Sequence, residues 1–420
     1  MTAFAHKATP NMISSKFAGN VEMLRIPQIT LHAFCDTPEL MDAMARVVSD
    51  RRMSRTHAKV HPGGVAAALN LYRQEASPNL VVIESQAAVA DLRAQLDALA
   101  DVCISGTKLI VVGYANDVGL YRELLARGVS EYIVAPIDPV GMMSVIAQLY
   151  QETGASKLGR SFAFIGARGG AGSSTIAHNV ASTMGRAYGS DVILADLDLA
   201  FGSASLGFNL NPTQGMAQAL QDTSRLDYAL LERLLTKGED HLSILSAPAT
   251  LEQPCDLEEG TFEKLLDIAQ SNVPFVVLDI PHTWTSWSKK TLLSADEVVI
   301  TATPDLVTLR NARNLVEQLK LARRNDAPPK VVLNQIGMPK RLEIKPDKFA
   351  AALQIEPSAC IPFDPASFSL AATKGRMISD VSPRSSVSKS FAKIADAITG
   401  SSRAKSSRNA RFSFSRLWKS

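Results

Sequence analysis

Eight consecutive residues, Arg168-Gly169-Gly170-Ala171-Gly172-Ser173-Ser174-Thr175, concentrate the most specific chemistry in the sequence. The glycines let backbone N–H groups converge with no Cβ in the way. An apolar run, Phe162-Ala163-Phe164-Ile165, comes before them and reads as a buried strand. Ile176 to Ala181 follows them and reads as helix. Strand, glycine-rich turn and helix make the setting of a phosphate-binding loop, where the positive end of the helix dipole favours an anion. Polyphosphate is therefore the expected guest of Gly169, Gly170, Ala171, Gly172, Ser173, Ser174 and Thr175. The usual loop ends Gly-Lys-[Ser/Thr], with the lysine on the outer phosphates and the hydroxyl on Mg²⁺. Ser173 stands in the lysine position and Ser174 keeps the hydroxyl. Arg168 is the only base in the loop, and its guanidinium can grip phosphate in a fork.

Acidic strand endings supply the rest of such a site. Val192-Ile193-Leu194-Ala195-Asp196-Leu197-Asp198 closes a buried strand with two carboxylates, suited to a position near the metal and the attacking water. Phe275-Val276-Val277-Leu278-Asp279 has the Walker B form, in which the carboxylate orders Mg²⁺ through water. Ser174 and Asp279 are the expected metal holders.

The spacing of the loop resembles the deviant phosphate loop of the MinD/ParA ATPases, which carries a signature lysine where Arg168 stands. That resemblance implies that Asp196 and Asp198 are switch I aspartates, with Asp198 positioning the water. It implies ATP and Mg²⁺ as cofactors and a dimer closed face to face over two nucleotides, with Arg168 crossing the interface as the signature lysine does. The strand Val331-Val332-Leu333-Asn334 resembles the family strand ending in asparagine. An asparagine amide both donates and accepts, which makes Asn334 the adenine-reading candidate. Ile361-Pro362-Phe363-Asp364 resembles the segment that runs past the base, so Asp364 joins the nucleotide set.

These residues need a parallel sheet to hold them, and the remaining pattern provides two. Upstream, Ile29–Phe34, Leu80–Ile83, Leu109–Val112 and Tyr132–Val134 read as strands. Pro38–Val48, Ala88–Leu99, Val118–Arg127 and Asp138–Tyr150 read as helices between and after them. Alternation of this kind predicts a doubly wound α/β sheet. The divisions expected are a flexible segment over 1–28, a first domain over 29–150, a linker over 151–160, the nucleotide domain over 161–400 and a basic tail over 401–420.

The first domain resembles a response-regulator receiver, with its flavodoxin-like order; Leu125 to Pro136 is the strongest part of the match. Each chemical position departs, however. Cys35-Asp36 offers one acid where a receiver has a pair, Glu84 replaces the phosphorylated aspartate, and Ala135 replaces the lysine before the proline. An interaction module that is not phosphorylated is expected.

Composition is that of a globular protein, with 46% hydrophobic and 20% charged residues. The net charge of +3 is too small to argue for nucleic acid. Four scattered cysteines lack the spacing of a metal site or disulfide frame, and His178, His241 and His282 show no ligand spacing. No apolar run has membrane-span length and the first 28 residues lack a signal-peptide core, so export is not expected. The tail carries Arg403, Lys405, Arg408, Arg411, Arg416 and Lys419 with interleaved aromatics and no acid. A weak peripheral membrane contact and a plain disordered tail are both open.

A receiver-like domain without its chemistry, fused to a MinD/ParA-type domain with serine in the lysine position, resembles the CpaE/TadZ family of pilus assembly proteins. The resemblance implies a cytoplasmic ATP-binding protein that localises a Tad-type (Flp) pilus machine, often at a cell pole or the inner face of the membrane. Its implied partners are the secretion motor ATPase and inner-membrane platform proteins. Without the lysine, ATP hydrolysis is expected to be slow, at most that of a weak ATPase. A nucleotide-independent scaffold and a ParA-like DNA-partition ATPase remain alternatives. Near-neutral charge and the lack of a DNA-reading motif, with no specific nucleic-acid partner expected, count against the second of these.

Overall fold

The computed structural model describes residues 26, 29–151, 158–212, 214–221, 225–248 and 257–400. The basic tail and nearly all of the first 28 residues lie outside the described residues, as does most of the 151–160 segment.

The N-terminal unit has five parallel strands: β1 (Thr30–Cys35), β2 (His57–Pro62), β3 (Leu80–Glu84), β4 (Lys108–Gly113) and β5 (Glu131–Val134). Their order is β2-β1-β3-β4-β5. β3 is buried at every position because helices cover both faces, which is why it reads as an unbroken apolar run. β2 and the helix Val65–Tyr72 are absent from the sequence reading. β2 is an edge strand, His57-Ala-Lys-Val-His-Pro, with no fully buried residue and hence no apolar run to betray it.

The C-terminal unit has eight strands: β6 (Arg160–Gly166), β7 (Val192–Asp196), β8 (Thr236–Glu239), β9 (Leu242–Leu245), β10 (Phe275–Ile280), β11 (Glu297–Ala302), β12 (Lys330–Ile336) and β13 (Ala359–Pro362). The order is β13-β12-β11-β6-β10-β7-β9-β8, parallel except for β8 against β9. β6 lies between β10 and β11, so its C-terminal end opens where the chain winds off in both directions. That crevice is the usual ligand position of such sheets. Phe162 and Phe164 point into the core under the helix Ser173–Tyr188, while Ala163 and Ile165 point into the core on the opposite face.

The two units meet through arginines of the turn Arg51–Met53. The guanidinium of Arg52, 1% exposed, pairs with Asp50 and Asp326 and donates to the Asn325 carbonyl at 3.1 Å. Arg51 also pairs with Asp326, which Arg323 holds from its own unit at 2.7 Å. Burial opposes ionisation of Asp326, but Arg51, Arg323 and Arg52 hold its carboxyl below the usual range.

Candidate nucleotide-binding site

The phosphate loop leaves β6 pinned at its start. Ala167 N donates to the Thr301 carbonyl of β11 at 2.8 Å, and Asn311 Nδ2 donates to the Ala167 carbonyl at 2.9 Å. His282 Nδ1 lies 2.7 Å from the Gly166 carbonyl, where only an N–H can serve. Gly170 and Gly172 adopt φ of 78° and 89°, the left-handed region that glycine reaches without strain. At Gly172 a Cβ would also fall 2.5 Å from Asn334 Nδ2, so both backbone and space require glycine. Gly169 and Gly170 face open space.

The helix Ser173–Tyr188 starts at Gly172 with no side chain capping it. Its first-turn N–H groups are therefore left for an external acceptor. Ser173 Oγ is buried without a hydrogen-bond partner among the described residues. Ser174 is half-buried and Thr175 exposed, so the hydroxyls grade from interior to surface.

Arg168 is placed beside the loop. Its Nη2 lies 3.6 Å from Asp305 Oδ2, with 42% of the side chain exposed. Asp305 caps the helix Leu306–Ala322. Burial works against its charge, yet hydrogen bonds from Thr303 and Thr308, with Arg168, hold its carboxyl below the usual value.

Asn334 and Asp364 have local partners that the base-reading assignment did not include. Asn334 Nδ2 donates to the Ala171 carbonyl at 2.8 Å and its Oδ1 accepts from Gln335 N at 2.8 Å. Gln335 Nε2 donates to the Gly170 carbonyl at 3.2 Å. Asn334 thus braces the loop from below. Asp364 caps the helix Pro365–Lys374 through Ser367 N at 3.1 Å, and its bonds from Ser367 hold its carboxyl below the usual range.

The acids fall into two environments. Asp196 and Asp279 are directly paired in register on β7 and β10 and are 1% and 2% exposed. Asp196 accepts from Asp198 N at 3.2 Å and Ala204 N at 3.0 Å. Burial first, and the Asp279 charge second, push its carboxyl up to about 6. Asp198 is half-buried and accepts from Phe201 N at 3.0 Å, shaping the turn after β7.

His178 joins this pair, against the sequence reading that gave it no ligand spacing. Its Nε2 lies 3.2 Å from Asp279 Oδ2. The three side chains come from a helix and two strands, so no local spacing could group them. The usable signal was its place one turn after Ser174 on the loop helix, the face that packs on β7 and β10.

The acidic end of the N-terminal sheet is closed. Glu84 is fully buried and accepts from Asp36 N at 2.7 Å, Thr37 N at 2.8 Å, Thr37 Oγ1 at 2.7 Å and the Tyr114 hydroxyl. Asp36 accepts from Gly64 N.

The AAA domain family matches residues 159–331. A pilus assembly protein CpaE from Caulobacter crescentus is 44% identical over 30% of this chain, at its N-terminal end, and 95% of its own, with a TM-score of 0.29. A ParA family ATPase from Chlorobium tepidum is 26% identical over 57% of this chain and 98% of its own, with a TM-score of 0.51. The septum site-determining protein MinD from Pyrococcus horikoshii, solved with Mg-ADP, is 20% identical over 57% of this chain and 96% of its own, with a TM-score of 0.51, and shares the fold. No curated protein matches the sequence. No helix among the described residues is long and apolar enough to cross a membrane. Identity to CpaE over nearly the whole of that shorter chain, not the superposition score, decides the assignment: the chain belongs to the CpaE family of pilus assembly proteins, and it carries a MinD/ParA-type ATPase domain.

Proposed function

We propose that the C-terminal unit binds ATP and Mg²⁺, closes into a dimer around them, and turns over slowly or not at all while positioning a Tad-type (Flp) pilus machine. The observation that carries this reading is the uncapped loop helix, with open glycines before it and the orphaned Ser173 hydroxyl inside it. An uncapped helix start beside a buried hydroxyl is a site short of an oxyanion partner. Gly169 to Thr175 would cradle the phosphates. Ser174 and, through water, Asp279 would hold the Mg²⁺, which neutralises phosphate charge when bound. Asp198 would orient the attacking water. Arg168 would leave Asp305 for the outer phosphates of its own or the opposing nucleotide. The MinD relative solved with Mg-ADP supports the guest.

Exposed apolar side chains support the dimer. Phe201 follows Asp198, Trp284 follows the Asp279 strand, and Leu306 and Val307 follow Asp305; all four are exposed. An apolar rim on the elements that carry the site is what a face-to-face partner would cover. Ser173 in place of lysine favours a scaffold-like, slow protein over a fast cycling ATPase. The divisions 29–150 and 161–400 would then be an interaction module and a nucleotide module of a protein working at the inner face of the cytoplasmic membrane or a pole. Its partners would be the secretion ATPase and platform proteins. Titration calorimetry with ATP and light scattering with and without nucleotide test the reading. ATP binding with a doubling of mass is expected, and a chain that stays monomeric and binds no ATP overturns it.

A further inference from the structure

Three buried side chains meet behind the phosphate loop: His178 (4% exposed), Asp196 (1%) and Asp279 (2%). One ligating atom from each lies within 4.8 Å of the other two. We infer that, without nucleotide, these residues form a binding site for a transition-metal dication of the Zn²⁺ or Mn²⁺ class, sharing Asp279 with the Mg²⁺ of the proposed nucleotide complex but differing from it in donor chemistry.

Hydrogen bonding leaves this cluster incomplete. His178 Nε2 and Asp279 Oδ2 are 3.2 Å apart, yet they are not aligned as a hydrogen bond, and Nε2 has no hydrogen-bond partner among the described residues. Asp279 Oδ1 is likewise buried and without one. Buried polar atoms are nearly always paired, and an orphaned imidazole nitrogen beside two buried carboxylates, one of them with an orphaned oxygen, is a costly arrangement. A bound dication removes both deficits at once. It takes a lone pair from the imidazole and cancels the repulsion between the carboxylates.

The donor set selects the class of ion. Mg²⁺ prefers oxygen donors in an octahedron and keeps its waters. One imidazole with two carboxylates suits Zn²⁺, Mn²⁺, Fe²⁺ or Co²⁺. With metal–ligand bonds of about 2.0–2.2 Å, the three donors need to draw in by roughly an ångström or less. The shell around them is already organised. Asp196 is held by the backbone N–H groups of Asp198 and Ala204. A side chain at Gly207 would come within 3.3 Å of His178 Nδ1, so the backbone there closes over the ring. Metal bound here would fasten the segment between Asp198 and Gly207 to the sheet. The inference does not depend on ATP binding, and its test uses no nucleotide.

The full chain, stripped with a chelator, is titrated with Zn²⁺, Mn²⁺, Co²⁺ and Mg²⁺ separately. Zn²⁺ and Mn²⁺ at about a hundredfold over their dissociation constants raise the Tm by roughly 5 °C or more. Mg²⁺ at the same concentration does not. Co²⁺ gives visible d–d absorption, and spin-echo spectra of Mn²⁺ on the parent chain show a coupled imidazole nitrogen. His178→Gln removes the nitrogen coupling and weakens binding by at least about a hundredfold, beyond what loss of an outer-shell partner does. Asp196→Asn weakens it as well. The inference fails if Zn²⁺ and Mn²⁺ shift the Tm no more than Mg²⁺, or if Mn²⁺ shows no nitrogen coupling. It fails also if His178→Gln keeps the signal, which would put the ion elsewhere. Should that variant not fold, Asp196→Asn decides, and unchanged Zn²⁺ and Mn²⁺ binding by it overturns the inference.

Discussion

Arg168 rests 3.6 Å from Asp305, and the proposed nucleotide complex would give its charge a second place, on a phosphate. A hydrogen bond to a charged group is worth about 1.5–3 kcal/mol. Arg168→Ala is therefore expected to weaken ATP binding by roughly tenfold to a hundredfold, measured by calorimetry. Ser173→Lys restores the missing cation beside the leaving oxygens and should raise single-turnover cleavage of ATP. Its unchanged rate would mean that the loop lacks more than a lysine. Glu84 makes the opposite kind of prediction. Its carboxylate is consumed by two amides and two hydroxyls, so a small-molecule phosphodonor should add no mass to the chain. A stable adduct lost in Glu84→Gln would show that this carboxylate opens. The loop residues were legible in sequence because eight neighbours carry the whole signal. His178 was not, since its partners lie far along the chain, and neither was the bond from Asn334 to the Ala171 carbonyl, because an amide able to read adenine gives no sequence sign of a backbone partner.

At the scale of elements, strands with two buried faces declared themselves and edges did not. β6, β7, β10 and β11 each carry an unbroken apolar run of three or four residues, buried on both faces. β8, Thr236-Lys-Gly-Glu, has no large apolar side chain and takes its place only by pairing antiparallel with β9. Burial of this kind is tertiary and leaves no local period. The same contrast gives a stability prediction. Phe164 is fully buried between β6 and the loop helix. Phe164→Ala should lower unfolding free energy by about 3–5 kcal/mol in urea titration, with a larger share of loss if the loop helix loosens. Lys59→Ala on β2, where that side chain is exposed, should fall within about 0.5 kcal/mol.

For the whole molecule the decisive contact is the arginine cluster on Asp326. Losing Arg52 leaves Asp326 with Arg51 and Arg323 and leaves Asp50 with the Asn325 amide, so the cost falls below the about 3–5 kcal/mol of a buried charge stripped of every partner. Arg52→Ala should accordingly loosen the two units, seen as a larger radius of gyration in small-angle scattering while each sheet keeps its far-ultraviolet signal. Because the folded Asp326 carboxyl sits below its ordinary 3.8, its contribution is complete above that pH and fades as pH falls further.

That cluster also constrains ancestry and grafting. Arg52 keeps Asp50 and Asp326 keeps Arg323 within their own units, but the carboxylates that Arg51 meets, Asp296 and Asp326, both belong to the other unit. A chimera that takes its front half from one relative and its back half from another strands Arg51 wherever the second half lacks those acids. The two halves must therefore be exchanged together with this turn and its acceptor, and drift at one side should be answered at the other.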